Sequence, residues 1–213
     1  IGDAKGRVMV ATFASLISRM QQVIDAAVKH NRKVAVVGRS MVNNLKMAIK
    51  MGYLSAPAGT VIALNEARHL PLDEVVILAT GAQGEPTSAL VRISNGEHKD
   101  LEIVPGDTVV ISASPIPGNE TVVSSTIDNL YRRGAEVIYS RIALVHVHGH
   151  GSQEELKMML RLVKPKFFVP IHGEYRHLVA HASIAKSTGI SEHHTFVLEN
   201  GDVLELGCDT GSI

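Results

Sequence analysis

Short β-branched runs alternate along this chain with stretches of about ten to fifteen residues whose apolar positions recur at helical spacing. Arg7–Phe13 (RVMVATF) reads as a buried strand, and Leu16, Met20, Val23, Ile24 and Ala27 then mark one helix face as far as His30. Lys33–Gly38 (KVAVVG) is the next strand, followed by a helix near Met41–Met51 with Leu45 and Ala48 on one face, which completes a βαβ unit. Residues Gly52–Asp73 are irregular or hold a short helix, and Glu74–Thr80 (EVVILAT) is a third strand. Pro86 suits the first position of a helix that ends at an Asn95-Gly96 turn. Thr108–Ser114 (TVVISAS) and Glu136–Tyr139 are further strands, separated by a helix over Thr121–Arg133 that Gly134 stops. Parallel strands require long crossovers, and helices of this length supply them. The expected class is therefore α/β, a mostly parallel sheet with helices on both faces.

In such sheets ligands bind beyond the carboxyl ends of the strands. Three loops there are unusual in composition: Gly38-Arg39-Ser40, Thr80–Pro86 (TGAQGEP) and Ser112–Glu120 (SASPIPGNE). Small residues let a backbone approach a ligand, and Arg39, Ser40, Gln83, Ser112, Ser114 and Asn119 offer donors to phosphate or base. The plainer alternative is that the glycines and prolines only turn the chain.

From Leu144 the character changes. The expected order is a strand (LVHV), the loop HGHGS, a helix over Gln153–Val163 and a strand over Phe167–Ile171. The loop HGE, a helix over Tyr175–Lys186 and two short strands, Thr195–Leu198 and Val203–Leu206, follow. Eight of the 11 histidines fall between His146 and His194, which makes this stretch the place to look for metal or proton chemistry. His146, His148 and His150 alternate, so a continued strand would place them on one face. Ser152 and Glu155 fit a capping box, and Leu156, Met159, Leu160 and Val163 give the following helix an apolar stripe. The loop thus delivers His146, His148, Gly149 and Ser152 to a helix N-terminus, which favours an anion such as phosphate. His172 follows a strand end, and Glu174 stands close enough in sequence to orient it; the residue is either a ligand or a packed polar group. No further ligands stand at ordinary zinc spacing around it. His177 and His181 share a helix face without the glutamate of HExxH, and read as a solvated face; His193-His194 reads as loop. Matches to GxGxxG or the P-loop are absent, so nucleotide-dependent phosphoryl transfer has no support.

The chain carries 21 basic and 21 acidic side chains, yet residues 1–50 hold nine Lys/Arg against only Asp3 and Asp25. Neutrality thus hides a basic region, suited either to a solvated face or to nucleic acid. No apolar run approaches the roughly 20 residues that span a bilayer, and the first ten residues lack a signal-peptide layout. Cys208 is the single cysteine, which rules out an intrachain disulfide framework. A soluble, unexported, cytoplasmic protein is expected.

Val10–Ala27 (VATFASLISRMQQVIDAA), Val37–Met41 (VGRSM), Thr80–Leu90 (TGAQGEPTSAL), Ser112–Glu120 and His146–Leu178 (HVHGHGSQEELKMMLRLVKPKFFVPIHGEYRHL) together resemble ribonuclease J, in the β-CASP branch of the metallo-β-lactamase superfamily. The resemblance covers essentially the whole chain. It implies a β-CASP domain over 1–143 and, over 144–213, the C-terminal αβ part of a metallo-β-lactamase fold. It further implies a zinc-dependent ribonuclease, 5′-to-3′ exonuclease and endonuclease, acting in RNA processing and decay on single-stranded, 5′-monophosphorylated RNA, and a homo-oligomer in full-length form. By resemblance His150 is the β-CASP histidine at the scissile phosphate and candidate general acid, and His172 ligates one of two zinc ions. The loop from His146 to His150 matches the pocket for the RNA 5′ monophosphate. The family usually carries serine where this chain has His148, and an imidazole is larger and chargeable. The HxHxDH motif that supplies most zinc ligands is not found in these 213 residues. The chain is therefore expected to be a fragment that begins inside the β-CASP domain, lacks the N-terminal metallo-β-lactamase part, and is inactive alone. Two alternatives are a non-catalytic RNA-binding module, with little base stacking because aromatics make up only 4% of the chain, and a fragment of a DNA-directed β-CASP nuclease.

Overall fold

The computed structural model describes residues 1–147 and 149–213, which form two compact units, Ile1–Val147 and His148–Ile213. In the first unit the expected alternation is realised as β1 (Val8–Ala11), α1 (Ile17–Lys29), β2 (Lys33–Val37), α2 (Arg39–Lys50), β3 (Val61–Ile62) and α3 (Leu64–Ala67). After a 3₁₀ turn follow β4 (Val75–Ala79), α4 (Ala89–Asn95), β5 (Thr108–Ile111), α5 (Glu120–Arg132) and β6 (Glu136–Ile138). The six strands form one parallel sheet in the order β3-β2-β4-β1-β5-β6.

Period-two alternation divides each strand between the faces. Val8, Val10, Val34, Val76 and Leu78 point to one face, where Met20, Val23, Ile24 and Ala27 of α1 and Met41, Leu45 and Ala48 of α2 cover them. Met9, Ala11, Ala35, Ile77, Val109, Ile111 and Val137 point to the other, beneath Ala67, Leu90, Ile93, Val123, Ile127 and Leu130 of α3, α4 and α5. The strands are buried on both sides, which is why they read as unbroken apolar runs rather than alternating ones. The chain leaves β1 toward β2 and leaves β4 toward β5, in opposite directions across the sheet, so the carboxyl ends of β1 and β4 flank a topological switch point.

Two details of this unit differ from expectation. The two-residue β3, paired to Val34 and Ala35, lies in the stretch read as irregular, because its β-branched pair is too short to give a periodic signal. Pro86 is not the first residue of a helix: α4 begins at Ala89 behind the N-cap Ser88, and the preceding segment is turn. Ser88 N–H donates to Glu85 O, which keeps the chain turned until Ser88.

The second unit contains α6 (Gln153–Val163) and α7 (Tyr175–Ser187), placed within a residue of expectation, and a small antiparallel pair, β7 (Glu205–Leu206) with β8 (Gly211–Ser212). The strands expected from Leu144 onward are largely absent among the described residues. The LVHV run from Leu144 is not a strand, Phe167–Ile171 contributes a single bridge from Phe168 to Thr195, and of Val203–Leu206 only Glu205–Leu206 pairs. An apolar run becomes a strand only where neighbours take its N–H and C=O groups, and the bridge rests on two bonds, Phe168 N to His194 O and Phe196 N to Phe168 O. No helix among the described residues is long and apolar enough to cross a membrane.

Candidate functional site

All six strands run the same way, so the three loops singled out above lie on one edge of the sheet, beyond β2, β4 and β5. Gly38, the N-cap of α2, stands at φ 104° with its Cα against Thr80; a Cβ there would come 2.5 Å from Thr80 Oγ1. Gly81 (φ 113°) likewise backs onto the Ser88 hydroxyl. These two positions require glycine, and they bring the ends of β2 and β4 together around a cavity of about 600 Å³. Arg39 and Ser40, both exposed at the start of α2, line it together with Glu85, Thr87, Arg92 and His98. Burial and then the Arg92 charge hold the His98 imidazole below its ordinary pKa.

The polar residues of the other two loops serve the loops themselves. Gln83 is 3% exposed; its Nε2 donates to Ser114 O at 2.9 Å and its Oε1 accepts from Ile116 N–H at 2.7 Å. Asn119 Nδ2 reaches the same oxygen at 3.5 Å. Gln83 thus braces the loop after β4 against the loop after β5, across the end of β1. Ser112 is 1% exposed, donates to Val145 O at 2.7 Å and accepts from Arg19. Ser114 and Asn119 are half-buried at the loop's rim. Of the sequence-derived donors on this edge, Arg39 and Ser40 are the exposed ones, while Gln83 and Ser112 shape the edge from within.

The basic N-terminal region resolves in the same way. Arg7 pairs with Asp107, Arg32 donates to Gly6 O and Ala4 O, and Arg19 to Val145 O, so three of the cations counted as a face are structural. Lys5, Lys29, Lys33, Arg39, Lys46 and Lys50 remain exposed, Lys33 donating to Gly59 O.

In the second unit the structure joins two residues far apart in sequence. The rings of His150 and His172 are stacked, centroids 5.9 Å apart and 11° from parallel, both exposed. His172 holds φ 68°, a left-handed conformation sparsely occupied by residues other than glycine, and Gly173 follows at φ 136°. This unusual turn replaces the strand end from which His172 was expected to project. Ser152 N-caps α6 in the expected capping box, its N–H donating to Glu155 Oε2 at 2.6 Å. That bond, and then the Ser152 hydroxyl, hold the Glu155 carboxyl below the usual carboxylate range; Lys157 does the same for Glu154 through a 2.8 Å bond. Two carboxylates therefore already occupy the positive end of α6, and a further anion there would meet their charge. Gly149 is exposed with open space around its Cα, His146 is half-buried, and His148 lies outside the described residues.

Glu174 does not act as orienter of His172 as expected. It caps α7, its N–H donating to His177 Nδ1 at 3.1 Å, and pairs with Arg176. His177 and His181 are likewise more than a solvated face: the first belongs to that cap, and the second packs edge-on to Phe168, centroids 4.9 Å apart. His193 and His194 fall in a 3₁₀ turn, Glu192–His194. Among the described residues no three His, Cys, Asp or Glu side chains converge so as to hold a metal ion. Arg19, Arg92 and His98 were missed as site residues by sequence reading; for Arg19 the signal was available, a cation in the first turn of a helix with no acid beside it.

Residues 5–130 match the family described as "Ribonuclease J, beta-CASP domain", and residues 134–197 the family described as "Zn-dependent metallo-hydrolase RNA specificity domain". Similar proteins include the Ribonuclease J of Synechocystis, 52% identical over 97% of this chain and 32% of its own length. Ribonuclease J 1 of Streptococcus pyogenes is 48% identical over 98% of this chain and 37% of its own length. Ribonuclease J2 of Bacillus subtilis is 48% identical over 96% and 37%. The chain spans about a third of the length of these relatives.

Proposed function

From the premise that the chain belongs to the ribonuclease J β-CASP family, we propose that it is the RNA-holding part of a zinc-dependent ribonuclease that cuts single-stranded, 5′-monophosphorylated RNA. Residues 1–143 would form its β-CASP domain and 144–213 the returning part of its metallo-β-lactamase domain. The observation that carries the reading is the stacked pair of His150 and His172.

In this reading His150 protonates the leaving oxygen, a task suited to an imidazole that stands exposed and within reach of substrate. His172 is one zinc ligand. A zinc centre needs at least three protein ligands, and no such set converges among the described residues. Zinc bound by the whole protein would supply a hydroxide nucleophile at neutral pH. The exposed Arg39 and Ser40 at the start of α2, and His146, His148 and Gly149 of the loop, receive phosphates.

The chain alone, given zinc or manganese and 5′-monophosphorylated RNA, should show no turnover; cleavage that survives repurification would contradict the reading. In the full-length protein His150→Ala should lose most turnover with zinc content near normal, whereas His172→Ala should lower zinc content. Equal zinc loss in both variants would contradict this division. Competition between RNA and DNA of the same sequence separates an RNA enzyme from a DNA-directed one.

A further inference from the structure

We propose that Arg19 is a positioning residue for the histidine loop: from the first turn of α1 it fixes Val145, the residue before His146, and so sets where the loop's phosphate-recognising groups begin. This rests on the phosphate reading of that loop given above.

A guanidinium in a helix's first turn stands at the positive end of the macrodipole, and α1 has no acidic residue in that turn to offset it. What Arg19 gains instead is a half-buried pair of bonds. Its Nη1 donates to Val145 O at 2.6 Å and to the Ser112 hydroxyl. Ser112 Oγ, at the end of β5, donates to the same carbonyl at 2.7 Å. The hydroxyl has one proton, directed at Val145, so it can only accept from Arg19, and the three groups close into a triangle with every donor correctly assigned. One backbone carbonyl is thereby held by side chains from two elements, 126 and 33 residues away in sequence.

No sheet ladder holds the segment. Leu144–Val147 forms no strand, Val145 N–H is used in a tight turn to Ala143 O at 2.9 Å, and the side chains of Leu144 and Val147 are exposed. A charge-assisted bond is roughly twice as strong as a neutral one, and here it takes the place of a ladder. The chain enters the histidine loop from a point pinned to α1 and β5.

The test uses the full-length protein and the variants Arg19→Met, Arg19→Lys and Ser112→Ala. Dissociation constants are measured at several salt concentrations for one short single-stranded RNA with nonhydrolysable linkages, carrying either a 5′ monophosphate or a 5′ hydroxyl, alongside the thermal midpoint. The wild type is expected to prefer the monophosphate. Arg19→Met should reduce that preference about tenfold, the scale of a lost hydrogen bond to a charged group. Its affinity for the hydroxyl RNA and its salt slope should stay unchanged, because Arg19 neutralises no phosphate itself. Arg19→Lys should restore part of the preference, and Ser112→Ala should lose less than Arg19→Met. An unchanged preference in Arg19→Met overturns the proposal. So does a fall in both affinities with a salt slope smaller by about one, which is the signature of direct phosphate contact. Should Arg19→Met fail to fold, Ser112→Ala decides, and an unchanged preference there is equally fatal. A wild type that binds no RNA, or does not distinguish the two ends, defeats the phosphate reading itself and this proposal with it.

Discussion

Arg7 and Asp107 are 100 residues apart in sequence and both buried, 8% and 0% exposed. Arg7 donates to Asp107 through Nε at 3.1 Å and Nη2 at 2.6 Å, a forked contact that joins the starts of β1 and β5, and Nη2 also reaches Glu102 O at 2.6 Å. Asp107 Oδ2 further accepts from Val104 N–H at 2.9 Å. A buried pair of this kind is costly to break from one side, because the survivor keeps its charge without a partner. Asp107→Ala should therefore cost about 3–5 kcal/mol in chemical denaturation. Replacing both residues with apolar ones, Arg7→Met with Asp107→Leu, should recover much of that loss but not all, since the Val104 amide stays unpaired. A cost below about 1 kcal/mol for Asp107→Ala would remove the pair from the list of stabilising contacts. Arg7 also shows why the basic N-terminal region could not be read correctly in advance. Local charge counts see a cation among few acids, but whether it is solvated depends on a carboxylate 100 residues away in sequence, at the start of another strand.

At the scale of elements, helices were legible to within a few residues and the strands of the second unit were not. A helix satisfies its hydrogen bonds internally, so apolar spacing and capping residues are written in its own stretch of sequence. Ser152 and Glu155 placed the start of α6 at Gln153 for that reason. A strand depends on its neighbours, and Phe167–Ile171 found a partner only at Thr195. The same capping box makes a pH-dependent element. The Glu155 carboxyl is held low by the Ser152 N–H and hydroxyl, so in the folded state it ionises more readily than in the unfolded chain. Its contribution is present in full above the ordinary carboxylate pKa and is lost as pH falls through its own lower folded value. Titration of the Glu155 side-chain carbon by NMR should give a midpoint below the ordinary range of an uncapped glutamate. Ser152→Ala should move it upward and weaken the cap by about 1 kcal/mol. A Glu155 midpoint in line with the uncapped carboxyls would show that the box does not persist in solution.

For the whole molecule, α/β class and parallel direction followed from the alternation of strand and helix, but strand order did not. Nothing local says that β4 lies between β2 and β1; that is decided by which crossovers pack together, a property of the assembled sheet. Yet this order is what places the loops after β4 and β5 on either side of β1, where Gln83 can brace them. The two units differ greatly in what they bury. The first has apolar clusters on both faces of its sheet, with Met9, Met20, Ile24, Met41, Leu78 and Leu90 fully enclosed. The second buries Leu160, Ala182, Ala185 and Phe196, while Met158, Met159, Leu162, Val163 and Ile171 stay exposed, so the expected apolar stripe of α6 is covered mainly at Leu160. Burial of apolar area is the main favourable term in folding, and a unit with so little of it opens at low cost. Native-state hydrogen exchange on the 213-residue chain should accordingly show β1 and β4 amides exchanging only through global opening of the first unit. The amides of α6 and α7 should exchange faster, with opening free energies several kcal/mol smaller, on the order expected for sub-global units. Equal protection of α7 and β4 would mean that the second unit draws on the first for its stability, and the two would then have to be treated as one cooperative body.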